Sequence, residues 1–243
     1  MGCTKSNGVV EAVEERTAVY PTGGGTTVVI ELERGAIEIQ GESGGNEIGV
    51  TATLRARGAT SEEAEESLEK VDFMAARIAD GLHLGLRVPN DGTVGHVEAD
   101  FVVRVPLGTS IRVIGGDVGV MIYSMYGTLG ITTGSGDVVI RGADVERLAI
   151  ESEAGDVEFS GRLAGGAVHE VRTGRGDVHV RIPIDSRLRI EAGVSSGGLI
   201  TSSLPLSGDT TGREWSATLN GPDATLRLRT LDGQILIGRL HET

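Results

Sequence analysis

The chain has 243 residues, a formal net charge of −13 and a pI near 4.8, a sign that disfavours binding to nucleic acid or adsorption to anionic lipid. Glycine is abundant at 38 residues with no three-residue period, which excludes a collagen-like helix. With 39% hydrophobic residues the composition is not that of a disordered chain, and no run of about eighteen apolar residues offers a membrane span.

The N-terminus carries the only cysteine, Cys3, so no internal disulfide can form. Met1-Gly2-Cys3-Thr4-Lys5-Ser6 admits three readings. Gly2-Cys3 looks like the end of a bacterial lipobox, with a start Met in place of the signal peptide's apolar stretch. The same residues fit the Met-Gly-x-x-x-Ser myristoylation pattern, and an incidental cysteine in a cytosolic start is the plain alternative. Thr4 to Gly8 is small and polar, and residues 1–24 are expected to form a flexible tether.

Residues 25–108 read as a strand-rich section with one helix. Thr26 to Glu33 and Ile37 to Gln40 are predicted strands around Arg34-Gly35, and Ile48 to Arg57 is another. Thr60-Ser61-Glu62-Glu63 is a capping box, and Ala64, Leu68 and Val71 line one face of the helix it opens. Phe73 to Ala79 is predicted to be a strand, because Asp80-Gly81 is a hairpin turn before the alternating Leu82, Leu84, Leu86 and Val88. Phe101 to Val105 follows, ending at Pro106. The section is expected to cap the first rung of what comes next, since a bare end rung would pair with other chains.

From 109 to 240 the chain repeats. Gly-Asp-Val occurs at Gly116-Asp117-Val118, Gly136-Asp137-Val138, Gly155-Asp156-Val157 and Gly176-Asp177-Val178, with aspartates 20, 19 and 21 residues apart. Gly197-Gly198-Leu199 reads as a fifth copy and Gly233-Gln234-Ile235 as a sixth. Two positions on stand Val120, Ile140, Phe159, Val180, Thr201 (a lapse) and Ile237. Upstream lie second alternating pairs such as Leu129 with Ile131 and Leu148 with Ile150. Each repeat therefore reads strand, Gly turn, strand, connection. So short a repeat cannot bury its own apolar face, and stacking at about 4.8 Å per rung buries a continuous column. The glycines are expected to supply φ > 0 at the corners, and each Asp to bond its own turn's amides. The prediction is a mostly all-β, parallel β-solenoid. Residues from about Ser202 to Asn220, with Trp215, are expected to loop out between the fifth and sixth rungs or to cover the far end.

These turns, with "Phe-Val-Val-Arg-Val-Pro-Leu-Gly-Thr" (101–109) and "Leu-Arg-Leu-Arg-Thr-Leu-Asp-Gly-Gln-Ile-Leu-Ile" (226–237), resemble the toast-rack or putative adhesin domain family of bacterial envelope proteins. The resemblance spans roughly residues 25–238. It implies a right-handed parallel β-helix-like solenoid, frequent lipoprotein or membrane tethering, and no catalytic residues to carry over. His169 departs from the pattern, standing where Leu129 and Leu148 stand.

Other constellations are weak. Gly193-Val194-Ser195-Ser196-Gly197 matches the nucleophile-elbow string, but a strand, not a helix, is expected after it. Arg175-Gly176-Asp177 is an integrin-type tripeptide whose Gly and Asp the repeat already requires. Leu204-Pro205-Leu206-Ser207-Gly208 resembles a sortase signal without its apolar segment and basic tail. A column of Asp invites calcium, but calcium β-rolls repeat at nine residues, not twenty. His83, His96, His169, His179 and His241 lack paired ligand spacing. The Gly-rich segments, Gly23-Gly24-Gly25 included, lack the Lys and Ser/Thr of a phosphate loop. No cofactor or metal is expected. The functional expectation is a non-enzymatic cell-envelope or extracellular protein, lipid-tethered at Cys3, that presents an elongated surface to a protein or glycan. End-to-end self-assembly is the alternative, a polysaccharide-active enzyme the third choice, and a cytoplasmic location follows if Cys3 is incidental.

Overall fold

The computed structural model describes residues 9–22, 26–79, 81–89, 94 and 96–240, and residues 2–6 as backbone. Gly23-Gly24-Gly25, Asp80 of the expected hairpin turn and His241 lie outside the described residues. The strands in chain order are β1 (Gly2–Ser6), β2 (Val9–Pro21), β3 (Thr27–Glu42) and β4 (Glu47–Gly58). Helix α1 (Ser61–Glu69) follows, then β5 (Asp72–Ile78), β6 (Gly81–Arg87), β7 (His96–Pro106) and β8 (Ser110–Tyr123). Next come β9 (Tyr126–Ser135), β10 (Val138–Ala154), β11 (Val157–Leu163), β12 (Val168–Arg175) and β13 (Val178–Ile182). The chain closes with β14 (Leu188–Ser196), β15 (Ile200–Ser202), β16 (Ser207–Asp209), β17 (Glu214–Leu219), β18 (Ala224–Asp232) and β19 (Ile235–Arg239).

The described chain is mostly strand, with one helix and an open sheet. Parallel pairing stacks it into rungs, each bent at a corner into two limbs. Along the stack the rungs run β6–β7, β3, β8, β9 into β10, β10 into β11, β12–β13, β18–β19 and β14–β15. One inward column reads Leu84, Ile30, Val113, Ile131, Ile150, Val171, Leu228, Ala192, each opposite the next. All eight are buried. Successive side chains point to opposite faces, so one alternating strand per limb fills the interior.

Stack order is not chain order. At each end an outer rung is flanked by a hairpin that straddles it. β7 lies between β3 and β4, parallel to the first and antiparallel to the second. Likewise β14 lies between β18 and β17. The chain skips one rung position after Pro106, passing from β7 to β8, and another through Pro183, from β13 to β14. The inner rungs β3 and β18–β19 fill those two gaps. The expected sixth repeat is therefore stacked between the fourth and the fifth.

Two expectations are corrected and one choice is resolved. Residues 9–21 are not part of a flexible tether, because β2 pairs along its whole length with β4 and buries Val10 and Ala12. The stack does not begin at 109, since β6–β7 and β3 are already rungs. Of the two placements expected for the segment after Ser202, it takes the second and covers the far end: Leu204 is buried, Leu206 and Trp215 pack against the core, and β17 pairs with the outer edge of β14.

At the other end β5 extends one limb, while β4, β2 and β1 extend the second. Helix α1 packs on β4 and β2 and buries Ala64 and Leu68. The Thr60 hydroxyl accepts the Glu63 amide at 3.2 Å, and the Glu63 carboxylate accepts the Ala59 amide at 2.9 Å. That is a capping box displaced by one residue.

Candidate binding surface

The corners explain the repeat. Gly136, Gly155 and Gly176 have φ of +110°, +137° and +141°. A Cβ on Gly176 would fall on the Gly155 carbonyl oxygen, so this position requires glycine for both conformation and space. The aspartates do not bond their own turns, as the sequence suggested. The Asp137 carboxylate accepts the Asp156 amide, Asp156 that of Asp177, and Asp177 that of Gln234, each at 2.8 Å. Each Asp thus ties its corner to the next rung's, and a charged acceptor strengthens the bond. Beside them runs an inward hydroxyl column of Thr133, Ser152, Thr173 and Thr230. Thr173 donates to the Gly155 carbonyl at 3.0 Å and Thr230 to that of Gly176 at 2.9 Å.

Two copies of the motif are out of step. Val138 lies opposite Val120, not Val118, so Gly116-Asp117 is displaced by two residues and Asp117 stands opposite Ser135. The Asp117 carboxylate accepts the Ser135 hydroxyl at 2.7 Å instead of an amide. Ile200 lies opposite Ile235, so Gly197 sits one residue before the stacked position, which the register gives to Gly198. Leu199 consequently points out, 67% exposed, while Ile200 is buried, and the lapse at Thr201 disappears. Gly233 keeps the register of Gly176.

Other singled-out residues fall on the scaffold. Ser195 lies near the end of β14 with strand β15 after it, without the helix of a nucleophile elbow. Asp177 of the Arg-Gly-Asp string is held by the Gln234 amide. Cys3 lies in β1 with its backbone opposite Ala12. Among the described residues no three His, Cys, Asp or Glu gather as a metal site, and no helix is long and apolar enough to cross a membrane. His169 is fully buried in its leucine column, its Nε2 donating to the Ala164 carbonyl at 3.0 Å. Burial pushes its pKa below the usual imidazole value, outweighing that carbonyl.

What faces outward is more distinctive. On the β6, β3, β8, β9 limb the β9 rung presents only Thr128, Gly130 and Thr132, and this low rung floors a groove of about 460 Å³. Arg112 stands on one wall, Glu151 and the Glu170–Arg172 pair on the other. On the opposite limb Met121 of β8 lies beside Val139 of β10, and Tyr123 beside Arg141. Met121 is 36% exposed, and the Tyr123 hydroxyl reaches its sulfur at 3.6 Å. Tyr126, 47% exposed, follows across a tight turn in which Ser124 holds φ of +54°. Glu38 borders the patch beside Met121, and Glu158 borders it beside Val139. Glu158 takes hydrogen bonds from Arg141 and Arg181. Burial works against its charge, but the two guanidiniums outweigh it and hold the carboxyl below its usual range. Sequence reasoning missed this patch. The available signal was that two of the three tyrosines fall within four residues.

The family profile described as Toastrack DUF4097 matches residues 109–238. Nothing among curated proteins matches the chain at a significant level. A crystal structure of a candidate cell-adhesion protein from Clostridium sporogenes shares the fold, with TM-score 0.59 and 12% identity over 94% of this chain and 100% of that one. A candidate adhesin from Bacteroides fragilis aligns at TM-score 0.49 and 13% identity over 92% and 97% of the two chains. A candidate lipid-binding protein from Parabacteroides distasonis aligns at 0.36 and 11% over 91% and 96%. With more than half its length matched by the profile, from Thr109 in the Pro106 connection to Gly238 in the last strand, the chain belongs to the Toastrack DUF4097 family.

Proposed function

We propose that this chain is a non-enzymatic, adhesin-like scaffold of the bacterial cell envelope, tethered by a lipid on Cys3 and built as a right-handed solenoid. It presents an outer sheet face to a protein or glycan at the cell surface. The observation that carries the reading is the patch of Met121, Val139 and Tyr123, with Arg141, Glu158 and Glu38 around it and the exposed Tyr126 just past the turn at Ser124. Exposed Tyr and Met with Arg inside a polar rim is the composition of an interaction surface, and a sheet fixes it rigidly in place. The adhesion description of the C. sporogenes protein of similar fold supports the same reading. The test is to couple the intact protein to beads and measure adherence to a panel of glycans and surface proteins. Saturable adherence to at least one member is expected, and none across the panel would contradict the proposal. For the tether, radiolabelled palmitate should mark the protein expressed with its native leader, and the label should be lost in Cys3→Ser.

A further inference from the structure

The C-terminal rung is a separable piece. β18–β19 is paired in parallel on both edges, to β12–β13 on one side and β14–β15 on the other. It buries Leu226, Leu228, Ile235 and Ile237 completely. Its Arg227 donates to Glu191 at 3.0 Å, and its Gln234 amide to Asp177 at 2.8 Å. Among the described residues it is joined to the rest of the stack by the connection 220–223 from β17, which must step over the end of β14. That step crosses two strand spacings, about 9.6 Å.

The connection is the strained part. Asn220 sits at φ of +53°, and its side-chain amide donates to the carbonyls of Ile184 at 2.7 Å and Ser186 at 3.1 Å. Arg187 donates to Asp223 at 2.6 Å. A left-handed non-glycine residue persists only where its surroundings hold it, so here local contacts hold the chain in its reversal. The gap that the rung fills is then a strand-receiving site. Its specificity lies in the alternating apolar positions, the Gly233 corner and the Asp177 acceptor. Any copy of residues 224–239 meets those requirements, whichever chain it belongs to.

We propose that β18–β19 exchanges between copies of this chain, so that each molecule can receive the terminal rung of a second one. The rung contacts are identical in the closed and exchanged forms, and only the 220–223 reversal differs. Opening frees Asn220 from its left-handed conformation at the cost of its hydrogen bonds to Ile184 and Ser186.

The test uses the full-length chain in a Cys3→Ser background. Glu170 and Arg227 face each other across β12 and β18. Glu170→Cys and Arg227→Cys are made as separate proteins, unfolded, mixed, refolded together at rising concentration and oxidised. A disulfide-linked heterodimer is expected, its share growing with concentration and absent when either variant is refolded alone. The Glu170→Cys/Arg227→Cys double variant in one chain reports whether the geometry permits the bond. A second variant deletes Gly221 and Pro222, leaving three Cα–Cα steps from Leu219 to Ala224, about 11 Å at full stretch, too little to span about 9.6 Å and also detour around Leu188, which pairs with both. It is expected to elute as a dimer. Closure only within the double variant, or elution of the shortened chain as a folded monomer, would overturn the proposal.

Discussion

The Asp156 carboxylate accepts the backbone amide of Asp177, 21 residues further along the chain and one rung further up the stack, at 2.8 Å. The repeated aspartate is thus a tie between turns, not a brace within one. Asp156→Ala leaves the Asp177 amide without its acceptor and should cost about 1–3 kcal/mol. At this size each kcal/mol lowers the melting temperature by about 2–4 °C. Asp117→Ala, outside the ladder, should cost less. Equal losses in thermal melts of the two variants would contradict the ladder.

The Gly176 corner gives a sharper contrast. Gly176→Ala places a methyl on the Gly155 carbonyl and forces alanine to φ of +141°. The cost should be about 3 kcal/mol or more, visible as poor soluble yield or a collapsed denaturant midpoint. Gly166 also has positive φ, +79°, but nothing lies within 4 Å of an added Cβ. Gly166→Ala should cost about 1 kcal/mol.

His169 makes stability depend on pH in a defined direction. Its folded-state pKa is depressed by burial, so protons bind the unfolded chain preferentially. The stabilisation is complete above the unfolded value of 6.5 and is lost as pH falls from there toward the folded value. The slope cannot exceed about 1.4 kcal/mol per pH unit from one group. Urea midpoints at pH 7.5 and 5.5 should differ, and His169→Leu should flatten the difference. An unchanged pH dependence in that variant would remove His169 as the cause.

Much of this architecture was legible because its corners leave marks that packing cannot disguise. Gly136, Gly155 and Gly176 each need φ > 0 and close backbone approach, so glycine recurs in register. Leu129, Leu148 and Leu226 advertise one column by alternation. The same alternation hid the error at Gly116: a slip of two residues keeps Val118, Val120 and Ile122 all inward, so no pattern betrays it. A slip of one at Gly197 reverses the faces, and Thr201 in an apolar position was its visible sign. Rung order was not legible, since alternation says which face a residue takes and not which strand lies beside it. Pro106 closes β7 and Pro183 follows β13 at the two skips, but the connection after Pro106 is only 107–109, shorter than 164–167, which skips nothing, so connection length gives no mark. The Met121–Tyr123–Tyr126 patch was missed because exposure depends on the connection geometry around Ser124.

The most direct measurement is adherence of protein-coated beads to the best-bound surface, for wild type and two double variants. Tyr123→Ala/Tyr126→Ala alters the patch, and Arg112→Ala/Glu151→Ala alters the groove on the opposite limb. Loss of about 2–3 kcal/mol in binding, a factor of about 30 to 150, in the tyrosine variant alone is the predicted result. Unchanged adherence in that variant, with circular dichroism showing both folded, would contradict the account.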